Sequence, residues 1–412
     1  MAHLCEGFLP SRGAIKVAGS NGKGSVATFT AEILRAQGLR VGLTLSPHVV
    51  HPGERIQIDG RPEAPRELSR AWSVLRPRLE ASPSPPLAFE AITALALAVF
   101  ERAGVEAVVA EAGIGGRHDA TRILEGSVTA LVSVDLEHSA ILGSTLEAIA
   151  ADKADLADPG SELILGSLPR GLTSFVARHS AARGVRAVRC DDRVAVEARK
   201  QERGGGQSFE LHDLRAGRTI PGIRLAASGR HQATNAALAV CLAQRFLGGG
   251  SLCPAAIRRG LKSSLLPGRF ERVRRQPPVF VDVAHTPHAA RLLARHAREA
   301  FGRRPILVLG VSADKKAGGG EVAAPLLDEA AERVWVTRAE ERGGDPRPLL
   351  RIALERGLEA EILLPLGAAL DGAIAEAERR GLPVLVAGGL FVAREALAYL
   401  RDSSDSEDAA AG

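Results

Sequence analysis

A chain of 412 residues is longer than one ordinary core organises, so two domains are expected. Its 45% hydrophobic and 25% charged content is that of a globular protein, and the longest apolar stretch, around 91–100, falls far short of the roughly 20 residues a bilayer-spanning helix needs. Net charge is +5, but arginine is dispersed and aromatics make up only 3%, which argues against a nucleic-acid or membrane partner and leaves small anionic ligands such as nucleotides.

The N-terminus, MAHLCEGFLPSRG, has no charged region followed by an apolar one, so no secretory signal is visible. Cys5, Cys190, Cys241 and Cys253 are scattered without a C-x-x-C pair, which fits a reducing cytoplasm better than a disulfide framework or a zinc site.

Along the chain, short β-rich runs alternate with longer helical patterns, the signature of a parallel sheet with crossover helices. The pattern predicts a strand at 14–18, a helix over 26–37 and a strand at 40–45. A helix over 67–76 is expected to end near Pro77, ahead of a Pro/Ser linker at 82–86. Next come a helix at 89–103, strands at 107–111 and 129–134, and a helix at 145–154. The stretch 187–223, broken by Gly204, Gly205 and Gly206, reads as edge hairpins, and 230–246 returns to helix. The run PGRFERVRRQPP then marks a boundary. A second α/β unit follows, with strands at 279–283, 306–310, 333–337 and 384–387 and a helix over 287–300. Domains are therefore expected at 1–270 and 271–401, with a disordered acidic tail at 402–412.

The strongest local signal is VAGSNGKGS, residues 17–25, which follows a strand and opens a helix. Its glycines let backbone N–H groups face phosphate oxygens, Lys23 can reach them, and the helix N-terminus adds its dipole. An ordinary glycine turn is the plain alternative. Ser46, Glu111 and His138 each stand at or just beyond the end of an expected strand, where ligands gather in open α/β sheets. A hydroxyl, a carboxylate and an imidazole could share a Mg²⁺ ion with water and phosphate. Taken alone, the histidine is as well explained by a structural role.

Eight blocks in order carry a resemblance: GSNGKGS, SPHVVHPGERIQIDG, EAGIGGRHDAT, LEHSAILGSTLEAIAADKADL, GRHQATNAA, PGRFERV, VDVAHTPHAA and SADK. Together the chain resembles the folylpolyglutamate/dihydrofolate synthases of the Mur ligase superfamily. The resemblance implies an α/β fold with a Mur-ligase-like P-loop central domain on a mostly parallel sheet, plus a smaller C-terminal Rossmann-like domain. It implies an ATP- and Mg²⁺-dependent amide ligase that joins L-glutamate to a folate-type substrate through an acyl phosphate, in a monomer. Gly22, Lys23, Gly24 and Ser25, with Asn235, Arg269 and Asp282, would hold ATP. Ser46, Glu111, His138 and Lys153 would hold two Mg²⁺ ions, Lys153 as a carbamate. Phe89, Glu90, His118, Asp119 and Ala120 would meet the substrate, and His285 would lie near the incoming glutamate. Lys23, Lys153 and His285 are the expected catalytic groups.

Four departures qualify the match. The segment before Gly19 is short for the family, Leu87-Ala88-Phe89-Glu90 lacks the usual hydroxyl and ring, Thr286 replaces an asparagine, and Gly388-Gly389 replaces Gly-Ser. A Mur-type ligase for another carboxylate, or a nucleotide-binding paralogue without catalysis, therefore stays open.

Overall fold

The computed structural model describes residues 1–8, 10–202, 206–264 and 266–410. Two compact units result: Met1–Lys200, Ser208–Ala226 and Arg230–Leu265 form the first, and Gln201–Gln207, Ala227–Gly229 and Leu266–Gly412 the second. The division falls just ahead of the boundary expected at 270.

The first unit is built on eight strands: β1 (Ala14–Ala18), β2 (Val41–Thr44), β3 (Ile56–Ile58), β4 (Arg61–Pro62), β5 (Ala107–Glu111), β6 (Gly126–Leu131), β7 (Glu162–Leu165) and β8 (Arg186–Arg189). They lie in the order β4-β3-β2-β5-β1-β6-β7-β8. Pairing is parallel from β2 across to β8, and β3 and β4 extend the sheet antiparallel. Every residue of β1, β2, β5 and β7 is buried, as expected for strands covered on both faces. Helix Lys23–Ala36 packs on Arg230–Phe246 and Pro254–Ser263, Pro65–Glu80 on Ala88–Arg102, and Leu146–Ala154 on Arg170–Ala181.

Three local differences from expectation have physical causes. Helix Lys23–Ala36 begins three residues early because Gly22 takes a left-handed φ of 82° and serves as its N-cap, so Lys23, Gly24 and Ser25 form the first turn. The helix Pro65–Glu80 passes through Pro77, which sits in the last turn, and the Ala81 N–H bonds the Pro77 carbonyl at 3.0 Å. β6 ends at Leu131 rather than 134, because Ser133 turns to the glycine loop: its carbonyl accepts from Ser20 N and its hydroxyl from Asn21 N, both at 2.9 Å. In the 187–223 stretch, β8 joins the main sheet beside β7. A separate three-stranded sheet holds β9 (Val194–Gln201), β10 (Gln207–Asp213) and β11 (Arg218–Leu225), in the order β11-β10-β9. Gly204 and Gly205 lie outside the described residues.

The second unit has β12 (Glu271–Arg274), β13 (Val279–Val281), β14 (Ile306–Leu309), β15 (Arg333–Val336), β16 (Glu359–Ile362) and β17 (Val384–Ala387). Their order is β12-β13-β17-β14-β15-β16, parallel except for β12. Its core joins Phe280, Leu307, Leu309, Val334 and Leu385 to Leu293, Leu326 and Leu349 of the covering helices. The last helix, Leu390–Ala410, runs into the segment expected as a disordered tail at 402–412. Val392, Ala393, Ala396, Leu397 and Leu400 bury its first turns, and no glycine or proline interrupts the chain from there to Ala410. Residues 411 and 412 lie outside the described residues. Among the described residues, no helix is long and apolar enough to cross a membrane.

Candidate active site

The glycine loop leaves the carboxyl end of the central strand β1. Its N–H groups are steered by Ser133, and Val132 N bonds Ala18 O at 2.9 Å, so the loop is stitched to the neighbouring strand end. Lys23 folds back over the loop, donating to Gly19 O at 3.0 Å and lying 3.5 Å from Ser20 O. Two residues on, in the same first turn, the Ser25 hydroxyl is buried and has no partner among the described residues. An orphaned hydroxyl in the first turn of the helix that Lys23 opens suits an oxyanion or a hard cation. Asn235 lies against this loop: a Cβ at Gly22 would stand 3.1 Å from its amide nitrogen. Gln232 holds that amide at 3.2 Å.

Glu111, the last residue of β5, reaches the same loop. A Cβ at Gly24 would be 3.4 Å from its Oε2, which also accepts from Ser46 N at 2.9 Å. Thus Gly24, Ser25, Ser46 and Glu111 converge at one sheet edge. His138 stands exposed at the left-handed turn (φ 48°) that opens the short helix Ser139–Leu142. Among the described residues, no three His, Cys, Asp or Glu side chains are grouped to hold a metal. The expected shell has only two such side chains, so its oxygen donors would need phosphate and water to complete it.

Lys153 is 1% exposed at the end of helix Leu146–Ala154. It donates to Gly19 O at 3.1 Å and pairs with Glu137 at 2.9 Å. Two lysines therefore share one carbonyl and sit near one carboxylate. Burial, the largest influence, pulls the Lys153 pKa below the ordinary lysine value; Glu137 opposes this, and Lys23 adds to it by repulsion. Burial alone would raise the Glu137 pKa, but Lys153 and Lys23 outweigh it and the carboxyl is held low. Glu137 was legible only as the neighbour of a candidate metal ligand. Its role as counter-ion to Lys153 depends on a contact sixteen positions away.

The helix carrying Lys153 is fixed by groups that sequence reasoning missed. Asp152 accepts from Gly116 N at 2.9 Å, and Asp155 takes Arg117 at 2.7 Å, His179 at 2.7 Å and Arg183. The alternation of acids and lysine in ADKADL was the available signal.

The residues expected at the substrate are spread more widely. The Phe89 ring lies over Gly113, where a Cβ would stand 2.9 Å away. Ile114 beside it is 46% exposed. Glu90 accepts from Leu87 N at 2.7 Å and so caps its own helix. Asp119 is buried and accepts from Gly113 N at 2.8 Å and from Thr121 N at 2.9 Å, which makes it the organiser of its loop. Ala120 is buried and His118 exposed.

In the second unit, Asp282 follows β13 and accepts from Phe270 N and Ala284 N, both at 2.8 Å. Burial pushes its pKa up, and the Arg269 charge counters that. His285 donates from Nδ1 to Val283 O at 3.1 Å, since a carbonyl can only accept. Gly388 approaches so closely that a Cβ would stand 2.1 Å from Gly310 O, and Gly389 lies next to Ser312 and His285. The two turns after β14 and β17 thus meet His285 at one sheet edge.

Residues 17–243 match the Mur ligase middle domain, and residues 268–390 match the Mur ligase glutamate ligase domain. A probable bifunctional folylpolyglutamate synthase/dihydropteroate synthase of Halobacterium salinarum is 36% identical over 93% of this chain and 46% of its own length. The chain spans about half the length of the two bifunctional halophile relatives it matches. The dihydrofolate synthase/folylpolyglutamate synthase of Mycobacterium tuberculosis is 34% identical over 82% of this chain and 71% of the relative. The solved Mycobacterium tuberculosis folylpolyglutamate synthase complexed with ADP superposes with a TM-score of 0.86 at 31% identity, covering 97% of this chain and 93% of that one. With both Mur domains matched in order along the chain, it belongs to the folylpolyglutamate synthase family of the Mur ligase superfamily.

Proposed function

We propose that this chain is an ATP- and Mg²⁺-dependent ligase that joins L-glutamate to a folate-type carboxylate, acting as a monomer in the cytoplasm. The observation that carries this reading is the convergence of Lys23, Lys153, Glu137, Glu111 and the orphaned Ser25 hydroxyl on one glycine loop. Membership of the family supplies the substrates.

In this reading, loop N–H groups and Lys23 bind the β- and γ-phosphates. Lys23 exchanges its bonds to Gly19 O and Ser20 O for phosphate oxygens. Asn235 braces the loop from behind, while Arg269 and Asp282 contact the nucleotide. The oxygens of Ser25, Ser46 and Glu111, with His138, suit a hard cation, and bound Mg²⁺ would neutralise charge on the transferring phosphoryl group. The substrate carboxylate oxygen attacks the γ-phosphorus, the bond to the β-phosphate oxygen breaks, and ADP leaves. The glutamate amine then attacks the acyl carbon, loses a proton and displaces orthophosphate. Phe89 and Ile114 offer apolar surface for a flat ring, and His118, Asp119 and Ala120 border it. His285 lies near the incoming glutamate.

Lys153 as described is an ammonium between two acceptors. Carbamylation needs a neutral amine, which its lowered pKa favours, and the new anion beside Glu137 would need a cation to offset their repulsion. That modification rests on the resemblance. The test is orthophosphate release by the purified chain with ATP, glutamate and either dihydropteroate or tetrahydrofolate. Turnover only with other carboxylates would replace the substrate, and no ATP turnover with any would overturn the ligase reading.

A further inference from the structure

At the amino edge of the first unit's sheet, a cavity of about 110 Å³ is lined by Arg193, Asp213, Arg215, Gln244, Arg245 and residues 249–251. Behind two of the lining residues, Arg193 and Arg245, stands Glu162, the first residue of β7, on which three guanidiniums converge. Arg193 approaches both carboxylate oxygens at 3.1 and 3.2 Å, Arg245 one of them at 2.9 Å, and Arg186 the other. Burial, the largest influence on Glu162, would raise its pKa, but these arginines outweigh it and keep the carboxylate ionised. Three cations on one anion leave a formal excess of two positive charges, and Arg193 is itself only 7% exposed.

The acid on the opposite wall does not cancel that excess. Asp213 accepts from Gln244 Nε2 at 2.7 Å and from Ala216 N at 3.0 Å, with Arg218 at 4.0 Å and Arg215 adding further charge. A stable ion network has no use for this surplus, because like charges held together in a partly desolvated pocket repel. The volume is below the several hundred Å³ of a pocket for a drug-sized ligand and suits a single oxyanion.

We propose that this pocket binds a phosphoryl dianion, either free orthophosphate or the phosphate end of a monoester. Guanidiniums match tetrahedral oxyanions through paired, charge-assisted hydrogen bonds, and Arg193 and Arg245 are already oriented by Glu162. The pocket is separate from the glycine loop. Helix Arg230–Phe246 carries Asn235 against Gly22 at one end and Gln244 and Arg245 at the other, about 14 Å apart along its axis.

The test is calorimetric titration of the full chain with orthophosphate at constant ionic strength, in a Lys23→Ala background that disables the loop. One-site binding is expected to persist there and to weaken roughly tenfold in Arg215→Ala and in Arg245→Gln. Arg215 is exposed, so its removal leaves the fold intact even if Arg245→Gln disturbs the network. Loss of binding with Lys23→Ala alone, indifference to both arginine variants, or an equal response to chloride would overturn the proposal. Glycerol 3-phosphate separates the sources: tighter binding than orthophosphate identifies a monoester, and equal or weaker binding identifies free phosphate.

Discussion

The two edges of the first unit's sheet each hold a buried lysine paired with a carboxylate, yet only one has the makings of a reactive site. At the amino edge, Lys16 is fully buried on β1 and pairs with Asp158 at 2.6 Å, while Gly126 N donates to the same oxygen at 2.9 Å. At the carboxyl edge, Lys153 pairs with Glu137, but Lys23 competes for that negative charge and both lysines lean on Gly19 O. Burial lowers both lysine pKa values. Lys16 also feels the charges of Arg122 and Glu125, so what separates the two is a second lysine on the same carbonyl and the open hydrogen-bonding capacity of Ser25. A satisfied ion pair is architecture. A crowded one, beside an orphaned hydroxyl, suits an anion.

The largest effect should come from removing the second cation. Lys23→Ala is expected to lower kcat for ligation on the order of 10³-fold, because transferring phosphate loses its positioned charge. Steady-state assays of ADP formation read this out, and turnover near wild type would place the reactive edge elsewhere.

Lys153→Ala should follow, with a loss on the order of 10²-fold in kcat and little change in thermal midpoint, since Glu137 keeps Lys23 nearby. Added acetate or formate should restore part of the rate if a carbamate is the working form. Full activity without additive would make Lys153 a second Lys16.

Lys16→Met should invert that pattern, leaving kcat within about twofold of wild type while lowering stability by about 1–3 kcal/mol in denaturant titrations. Asp158 is a quarter exposed and keeps the Gly126 N–H, so the cost is below that of breaking a fully buried pair. A large kcat loss with unchanged stability would erase the contrast between the edges.

The smallest expected effect is a pH dependence. Because the folded-state pKa of Lys16 lies below its ordinary 10.5, the unfolded chain binds more protons between the two values. The stability of the wild type relative to Lys16→Met should therefore rise as pH climbs through that window. A flat or falling difference in unfolding free energy between pH 7 and pH 10 would contradict the burial that lowers this group.

Much of the fold was legible. β1, β5 and β17 stand where apolar runs predicted them, and the helix Arg230–Phe246 keeps its expected bounds, because burial on both faces leaves a strong local pattern. The strand β16, EAEI, was not expected, since alternating charges at a sheet edge leave no apolar run. The glycine loop was visible because its chemistry is written in consecutive residues. Glu137 as partner of Lys153, Ser133 as the steering group of the loop, and Asp155 as the clamp on Arg117 and Arg183 were not.

The order of eight motifs and the hydrophobic periods settle the family, the α/β class and the identity of the loop lysine from the chain alone, because these depend on neighbours in sequence. Lys16 and Lys153 cannot be told apart that way. Each is a lysine with an acid somewhere along the chain, and their different surroundings arise when distant segments fold together. Charge acts through space over a few ångströms, so the tertiary structure alone decides that one lysine bonds an acid also held by the Gly126 N–H and the other must share its acid with Lys23.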